Sequence, residues 1–244
     1  MHIVIFTGGD FPEPALTEAY FPQRKPDYVI AADSGILTFE RYNGHFSGAF
    51  GKNGNPDAIL GDMDSLAAKN AAAVLKNYPA NIVQTFIADK DDTDTELALK
   101  KAHAVANAGD AWITLVGAGG GRRADHFLSV FDLFATSLRP AVWLYGEQAL
   151  WYAPQGASFK VSGLGLRDMI SVARTTASRT GGKVNSEGLL WEYDTFRAEG
   201  MPSISNRIKP EFYERGKSVT ISVEAGEFVL IVPTSACVSA LRKG

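Results

Sequence analysis

The sequence predicts an α/β protein, with a mostly parallel α/β domain over residues 1–147 and an antiparallel β-sandwich over residues 148–244. Three observations carry this. Up to about residue 145, short apolar runs alternate with longer segments of helical spacing. Beyond about residue 150, short segments of alternating polarity follow one another, separated by Gly, Asn, Ser and Pro. A chain of 244 residues also has room for one large core or two modest ones.

Taken in order, the apolar runs at residues 3–6, 28–32, 58–60, 82–86, 112–116 and 141–145 read as strands. Helical patterns fall at residues 65–77, 94–108 and 125–138. The second of these carries Ala98, Ala102, Val105 and Ala106 at i, i+4, i+7 and i+8, one face of a helix. Residues 42–56, rich in Gly and Asn, read as an exposed loop. In the second half, residues 158–161, 169–173, 189–193, 219–223 and 228–232 read as strands, and a helix is considered only at the extreme C-terminus.

Composition excludes several function classes. There are 24 Lys and Arg against 27 Asp and Glu, a net charge of −3, with no long basic run, so nothing favours nucleic acid or an anionic membrane as partner. The single cysteine, Cys237, cannot form an intrachain disulfide and reads as a packed apolar residue, which suits a reducing compartment. The first strand lacks a basic leader and ends at Gly8-Gly9-Asp10, and no apolar stretch approaches membrane length. A cytoplasmic location is therefore expected.

In an open parallel sheet, ligands bind at the carboxyl ends of the strands, and the unusual residues fall there. Asp33-Ser34-Gly35 follows one run and Gly61-Asp62-Met63-Asp64-Ser65 the next. Asp89 to Glu96 and Gly117 to His126 follow two more. Two carboxylates on one short connection repel, at about 4 Å and a dielectric near 20, by on the order of 4 kcal/mol. A divalent cation relieves that, and magnesium suits hard oxygen ligands that leave positions for water and phosphate. A structural role is also open: Asp64 or Ser65 can cap the following helix. Thr93 and Glu96 form a capping-box pattern, but capping leaves the aspartates ahead of Thr93 unexplained, and Asp91 and Asp94 are expected to face the metal.

The turn Gly117-Ala118-Gly119-Gly120-Gly121-Arg122-Arg123 lies between a strand and a helix. Glycines there let backbone N–H groups approach an anion, and arginine adds bidentate phosphate contacts. Gly-Lys-Ser/Thr is absent, so this is not the Walker pattern. His126 either orients Asp125 or caps the helix. Acids for a cation and Gly/Arg for phosphates describe phosphoryl or pyrophosphoryl transfer. The residues themselves do not choose the acceptor.

In this order, the segments resemble the thiamine pyrophosphokinase (thiamine diphosphokinase) family. The resemblance is carried by Ala32-Asp33-Ser34-Gly35, Gly61-Asp62-Met63-Asp64-Ser65, Asp89 through Glu96, Gly120 through His126, Gly188-Leu189-Leu190-Trp191 and Ser205-Asn206. It implies transfer of the pyrophosphoryl group of ATP to thiamine, giving thiamine diphosphate and AMP. Asp33, Asp62, Asp64 and Asp94 would surround Mg²⁺, with Asp62, Asp64, Asp94, Arg123 and Asp125 as the catalytic set. Nucleotide-binding positions would be Asp33, Ser34, Gly35, Asp91, Thr93, Gly120, Gly121, Arg122 and His126. Trp191, Ser205 and Asn206 would belong to the thiamine pocket, assembled where two subunits of a homodimer meet.

Two departures stand out. An extra residue precedes Asp125-His126, so either Arg122 or Arg123 is the phosphate arginine, and Arg123 preserves Arg-x-Asp-His. Leu190 replaces the family's usual lysine, and Arg207 stands where an acid is common. Three other readings stay open: a diphosphokinase for another hydroxymethyl heterocycle such as a pterin, a nucleotide- or thiamine-binding regulatory module without turnover, and an unrelated metal-dependent phosphohydrolase.

Overall fold

The computed structural model of the chain describes residues 1–21, 25–68, 72–87, 91–107, 111–120, 123–178, 181–192 and 200–241. Six strands come first: β1 (His2–Phe6), β2 (Tyr28–Ala32), β3 (Ala58–Gly61), β4 (Val83–Thr85), β5 (Trp112–Val116) and β6 (Val142–Tyr145). They run parallel in the order β4-β3-β2-β1-β5-β6. Helices α1 (Gly35–His45), α2 (Asp64–Ala68), α3 (Asp94–Val105) and α4 (Ala124–Asp132) occupy the connections.

Eight further strands follow: β7 (Gln148–Ala153), β8 (Ser158–Ser162), β9 (Ile170–Arg174), β10 (Lys183–Glu187), β11 (Ser203–Asn206), β12 (Val219–Ala225), β13 (Phe228–Pro233) and β14 (Cys237–Leu241), with the short helix α5 (Pro210–Glu214) before β12. A two-residue turn, Gly146-Glu147, reverses the chain from β6 into β7, so the ladder continues antiparallel through β7, β13, β9 and β11 into one ten-stranded sheet. The others form a separate antiparallel sheet, β10-β12-β8-β14. The fold class is the one the sequence predicts: a largely parallel sheet with helices, joined to a two-layered antiparallel β unit.

Side-chain alternation explains the layers. In β1, Val4 and Phe6 pack on one face with Ile36, Phe39 and Tyr42 of α1, while Ile3 and Ile5 pack on the other with Ala98, Leu99 and Ala102 of α3. In the β unit, Phe159 and Val161 of β8 and Val219, Ile221 and Val223 of β12 meet Trp151, Phe228, Leu230, Ile170 and Val172 of the large sheet in one core.

Several elements differ from the sequence reading. Residues 42–56 are an exposed loop only in part: α1 runs to His45, and Tyr42 and Phe50 are fully buried in an aromatic cluster with Phe6, while Lys52, Asn53 and Gly54 form the exposed tip. Burial of the stripe Ile36, Phe39 and Tyr42 outweighs the helix-weakening Asn43 and Gly44. The pattern at residues 65–77 divides into α2 and a 3-10 turn at Ala72–Asn77. Of residues 189–193, only Leu189 pairs, in a single bridge with Ile208, because side chains rather than a ladder hold that segment, as described below; Tyr193 lies outside the described residues. Near the C-terminus, Cys237–Leu241 form a strand, β14, since the open edge of β8 supplies its hydrogen-bond partners, and residues 242–244 lie outside the described residues.

Candidate active site

Strand order sets the position of the site. From β1 the chain moves outward through β2, β3 and β4, then returns to the opposite side of β1 as β5. The order reverses between β1 and β5, and a crevice opens there beyond the carboxyl ends of the strands. Two loops lock across it: Thr7 N–H donates to the Val116 carbonyl (2.9 Å), Ala118 N–H to that of Gly8 (2.8 Å) and Asp10 N–H to that of Gly119 (3.3 Å). Gly9 is obligatory, since a Cβ there would lie 2.3 Å from the Gly119 carbonyl oxygen and its φ is +86°.

The resulting cleft, about 820 Å³, is lined by Thr7, Gly8 and Gly9 after β1, Asp33 and Ser34 after β2, Asp62 and Ser65 after β3, Asp91 through Thr95 at the start of α3, and Ala118 through Gly120 with Arg123, Asp125 and His126 around the start of α4. At its floor, carboxylate oxygens of Asp33, Asp62 and Asp94 all lie within 4.8 Å of one another. Irregular backbone makes this possible. Asp33 has φ +47° and Met63 φ +65°, left-handed conformations that L-residues seldom adopt. Asp62 accepts the Asp64 N–H on Oδ1 (3.1 Å), a tight turn that starts α2. Thr93 caps α3 in a complete capping box with Glu96, setting Asp94 at the first helical position.

Asp33 is buried, and among the described residues its Oδ1 has no hydrogen-bond partner. A buried anionic oxygen without a partner is costly. Placed beside two more carboxylates, it gives a hard-oxygen donor set that fits a divalent cation. Six aspartates line the cleft, Asp33, Asp62, Asp91, Asp92, Asp94 and Asp125, with Arg123 as the cation among its described lining residues. Lys100 offsets Asp92 at 2.6 Å, and the Arg123 guanidinium grips Asp125 through Nε (2.9 Å) and Nη2 (2.6 Å). That contact holds the Asp125 carboxyl well below the usual carboxylate range. A bare polyphosphate would be repelled from such a lining, whereas one carrying divalent cations would not.

The other sequence-predicted positions are placed as follows. Gly35 starts α1 beneath the crevice. Asp64 is exposed at the start of α2, outside the three-carboxylate cluster and the cleft lining. Gly121 and Arg122 lie outside the described residues, as does Asp89. Trp191, Ser205 and Asn206 lie together in the β unit and do not line this cleft. The loop Thr7-Gly8-Gly9 was not among the predicted site residues; its signal was a glycine pair directly after a buried strand, the same signal that marked the other loops.

On the β side, Asn206 is fully buried, and its amide joins the Trp191 backbone: Oδ1 accepts the Trp191 N–H (3.2 Å) and Nδ2 donates to the Trp191 carbonyl (2.7 Å). The next residue, Glu192, accepts from Lys209 Nζ (2.5 Å), the Ser186 hydroxyl (2.6 Å) and the Gly188 N–H (2.9 Å). Burial opposes its ionisation, but these donors outweigh burial and leave its pKa below the ordinary value. A depressed carboxyl stabilises fully above its unfolded pKa of about 4.3 and loses that contribution as pH falls through the folded value. Glu192→Gln is therefore expected to lower the thermal midpoint near pH 7, with the difference from the parent narrowing as the pH falls below the ordinary carboxyl range and through the folded value; a gap of constant size across a pH series of melts would contradict it.

Fold and crevice together define a class: an α/β protein with an acidic cluster of cation-binding type facing a glycine–arginine turn at its switch point. The sequence model of one family, described as thiamin pyrophosphokinase, catalytic domain, matches residues 23–144, half of the chain. The chain belongs to the thiamin pyrophosphokinase family.

Solved structures share its fold. Thiamine pyrophosphokinase from Bacillus subtilis superposes with a TM-score of 0.69 at 21% identity, covering 96% of this chain and 99% of that one. The enzyme from Geobacillus thermodenitrificans gives 0.63 at 23% identity, covering 96% and 97%, and that from Candida albicans 0.63 at 14%, covering 95% and 89%. No curated protein matches the sequence. No helix among the described residues is long and apolar enough to cross a membrane.

Proposed function

We propose that the chain is a thiamine diphosphokinase: the hydroxyl of thiamine attacks the β-phosphorus of ATP, a pyrophosphoryl group is transferred, and AMP leaves. Residues 1–147 would hold the nucleotide and Mg²⁺, and residues 148–244 the thiamine. The single observation that carries this reading is the convergence of Asp33, Asp62 and Asp94 within 4.8 Å, in one cleft with Arg123 and the glycine turn. With one cysteine in the chain, the reading assumes a reducing cytoplasm.

When bound, magnesium would neutralise the polyphosphate and polarise its oxygens. Asp33, Asp62 and Asp94 would be its ligands, with Asp64 and Asp91 completing the acidic set from the solvent side. Gly119 and Gly120, both at positive φ, let the backbone approach the phosphates closely. Ser34, Thr93 and His126 would supply polar groups along the nucleotide, with Gly121 and Arg122, which lie between Gly120 and Arg123 in sequence, as further nucleotide-binding positions. Arg123, prepositioned by Asp125, would turn its fork to the developing charge on the phosphoryl oxygens. A cleft carboxylate would accept the hydroxyl proton. Arg123→Ala is expected to raise the KM for ATP about tenfold, as loss of a charge-assisted phosphate contact does, with little change in thermal midpoint because the Arg123–Asp125 pair is exposed.

Trp191, Ser205 and Asn206 lie outside the cleft of their own chain, which supports a homodimer in which each acceptor pocket faces the partner's nucleotide site. One assay tests the reaction: purified protein with ATP, Mg²⁺ and thiamine should form thiamine diphosphate and AMP in equal amounts. Phosphate release without thiamine would mean hydrolysis, and thiamine binding without product a regulatory module. A hydroxymethylpterin outcompeting thiamine as acceptor would mean a different diphosphokinase. Mixing Asp62→Asn with Trp191→Ala chains tests the shared site, assayed at thiamine far below the wild-type KM, where the Trp191→Ala protein alone retains only about a tenth of the activity. Random pairing makes half the dimers mixed, each with one intact site of two, so up to about a quarter of wild-type activity returns. No recovery would place each site within one chain.

A further inference from the structure

We infer that Asn206 is a positioning residue that acts through Trp191, and does not itself touch the acceptor. This rests on the thiamine reading above and assigns Asn206 a different role from the direct contact expected at a Ser-Asn step.

The geometry leaves Asn206 little to offer a ligand. Its side chain is wholly buried, and its carbonyl oxygen is saturated by two backbone donors, Trp191 N–H (3.2 Å) and Arg207 N–H (2.9 Å). One N–H of its Nδ2 donates to the Trp191 carbonyl at 2.7 Å, inside a side chain wholly shielded from solvent. One amide thus holds both polar backbone groups of a single residue. That residue carries an indole 60% exposed to solvent, the most exposed of the four tryptophans.

A large aromatic left in water on a pinned backbone is poor packing and a good stacking surface. The pin is doubled by neighbours that fix the same segment from both sides: Leu190 N–H donates to the Arg207 carbonyl (2.9 Å), and Glu192 is held by Lys209. The facing strand is also distorted. The β11–β9 register shifts between Ser203 and Asn206, and Ser205 takes φ +56°, an edge-strand irregularity that turns Ser205 outward while Asn206 points in. A two-residue step therefore divides its labour: Ser205 is exposed beside the indole's segment, and Asn206 underneath fixes that segment.

The test is a double-mutant cycle read on substrate parameters. Asn206→Ala and Trp191→Ala are each expected to raise the KM for thiamine about tenfold, the scale of one aromatic stack, and to leave the KM for ATP within about twofold. The double variant should be no worse than Trp191→Ala alone. Multiplying effects would show that Asn206 contacts the substrate itself, and an unchanged thiamine KM with a lowered melting midpoint would show a merely structural role; either overturns the inference.

Asn206→Ser, a milder change, serves if the alanine variant does not fold. A second readout needs no turnover: in a Trp112→Phe background, Trp191 is the remaining exposed indole, and Asn206→Ser should lower the anisotropy of the acrylamide-quenchable emission, which isolates it from buried Trp143 and Trp151. Should the wild-type protein make no thiamine diphosphate, the functional reading fails by itself. Anisotropy then decides the positioning role, which a value unchanged by Asn206→Ser overturns.

Discussion

Asp62→Asn is expected to lower turnover by about 10³-fold or more while leaving the fold intact. The carboxylates of Asp33, Asp62 and Asp94 stand within 4.8 Å of one another, so each contributes directly to holding a cation against phosphate. Removing one charge weakens that hold and the neutralisation of transition-state charge, an effect worth several kcal/mol in water-excluded sites. Stability should move the other way. At this separation and a dielectric near 20, each like-charged pair costs on the order of 3 kcal/mol before screening. Asparagine keeps the oxygen that accepts the Asp64 N–H and loses the repulsion. In metal-free buffer the variant's thermal midpoint should therefore equal or exceed the parent's, and Mg²⁺ should raise the parent's midpoint more than the variant's. Near-normal turnover would remove Asp62 from the site; a midpoint well below the parent's would show that the three carboxylates do not repel.

Gly35→Ala is expected to destabilise the protein by about 3 kcal/mol or more, a fall in thermal midpoint of roughly 6–12 °C for a chain of this size. In an ordinary helix the same change gains up to about 1 kcal/mol. Here the added Cβ would sit 2.1 Å from the Phe6 carbonyl oxygen and 2.6 Å from Phe6 C and Thr7 Cα. Those atoms belong to β1 and the loop that follows it, at the centre of the parallel sheet, and cannot give way cheaply. Relief requires the start of α1 to lift, which strains the Thr38 hydroxyl bond to the Thr7 carbonyl (2.9 Å) and the turn at Asp33. The KM for ATP should rise along with the loss of stability. A melt indistinguishable from the parent's would show that the close approach of α1 to β1 is not a constraint.

The two variants show how differently the parts of this site could be read in advance. Asp62 was legible because a paired acid after a buried strand is a local pattern. Thr93 and Glu96 were legible for the same reason, and their capping box forms as the spacing requires. Gly35 was visible only as a member of a motif; its closest neighbours, Phe6 and Thr7, are some thirty positions away in sequence. The loop Thr7-Gly8-Gly9 reads in sequence as the end of a strand, and its place in the site comes from β5 lying beside β1, which is a matter of strand order rather than of residue type. Helix α1 is hidden in the sequence because Asn43 and Gly44 signal a break, and only the aromatic cluster around Phe6 and Phe50 overrides them.

What the sequence determined by itself is periodic or short-range: strands buried on both faces, the change to alternating segments near residue 150, glycine and acid clusters at strand ends, and one capped helix. Such features follow from side chains repeating every two or 3.6 residues and from contacts within a turn. The tertiary structure alone decided which carboxylates meet, that Asp64 stays outside their cluster, and that Asn206 is spent on the Trp191 backbone. Those outcomes depend on left-handed residues such as Asp33, Met63 and Ser205 and on partners distant in the chain. Neither leaves a periodic trace, because an irregular backbone aims its side chains only once its neighbours have fixed it.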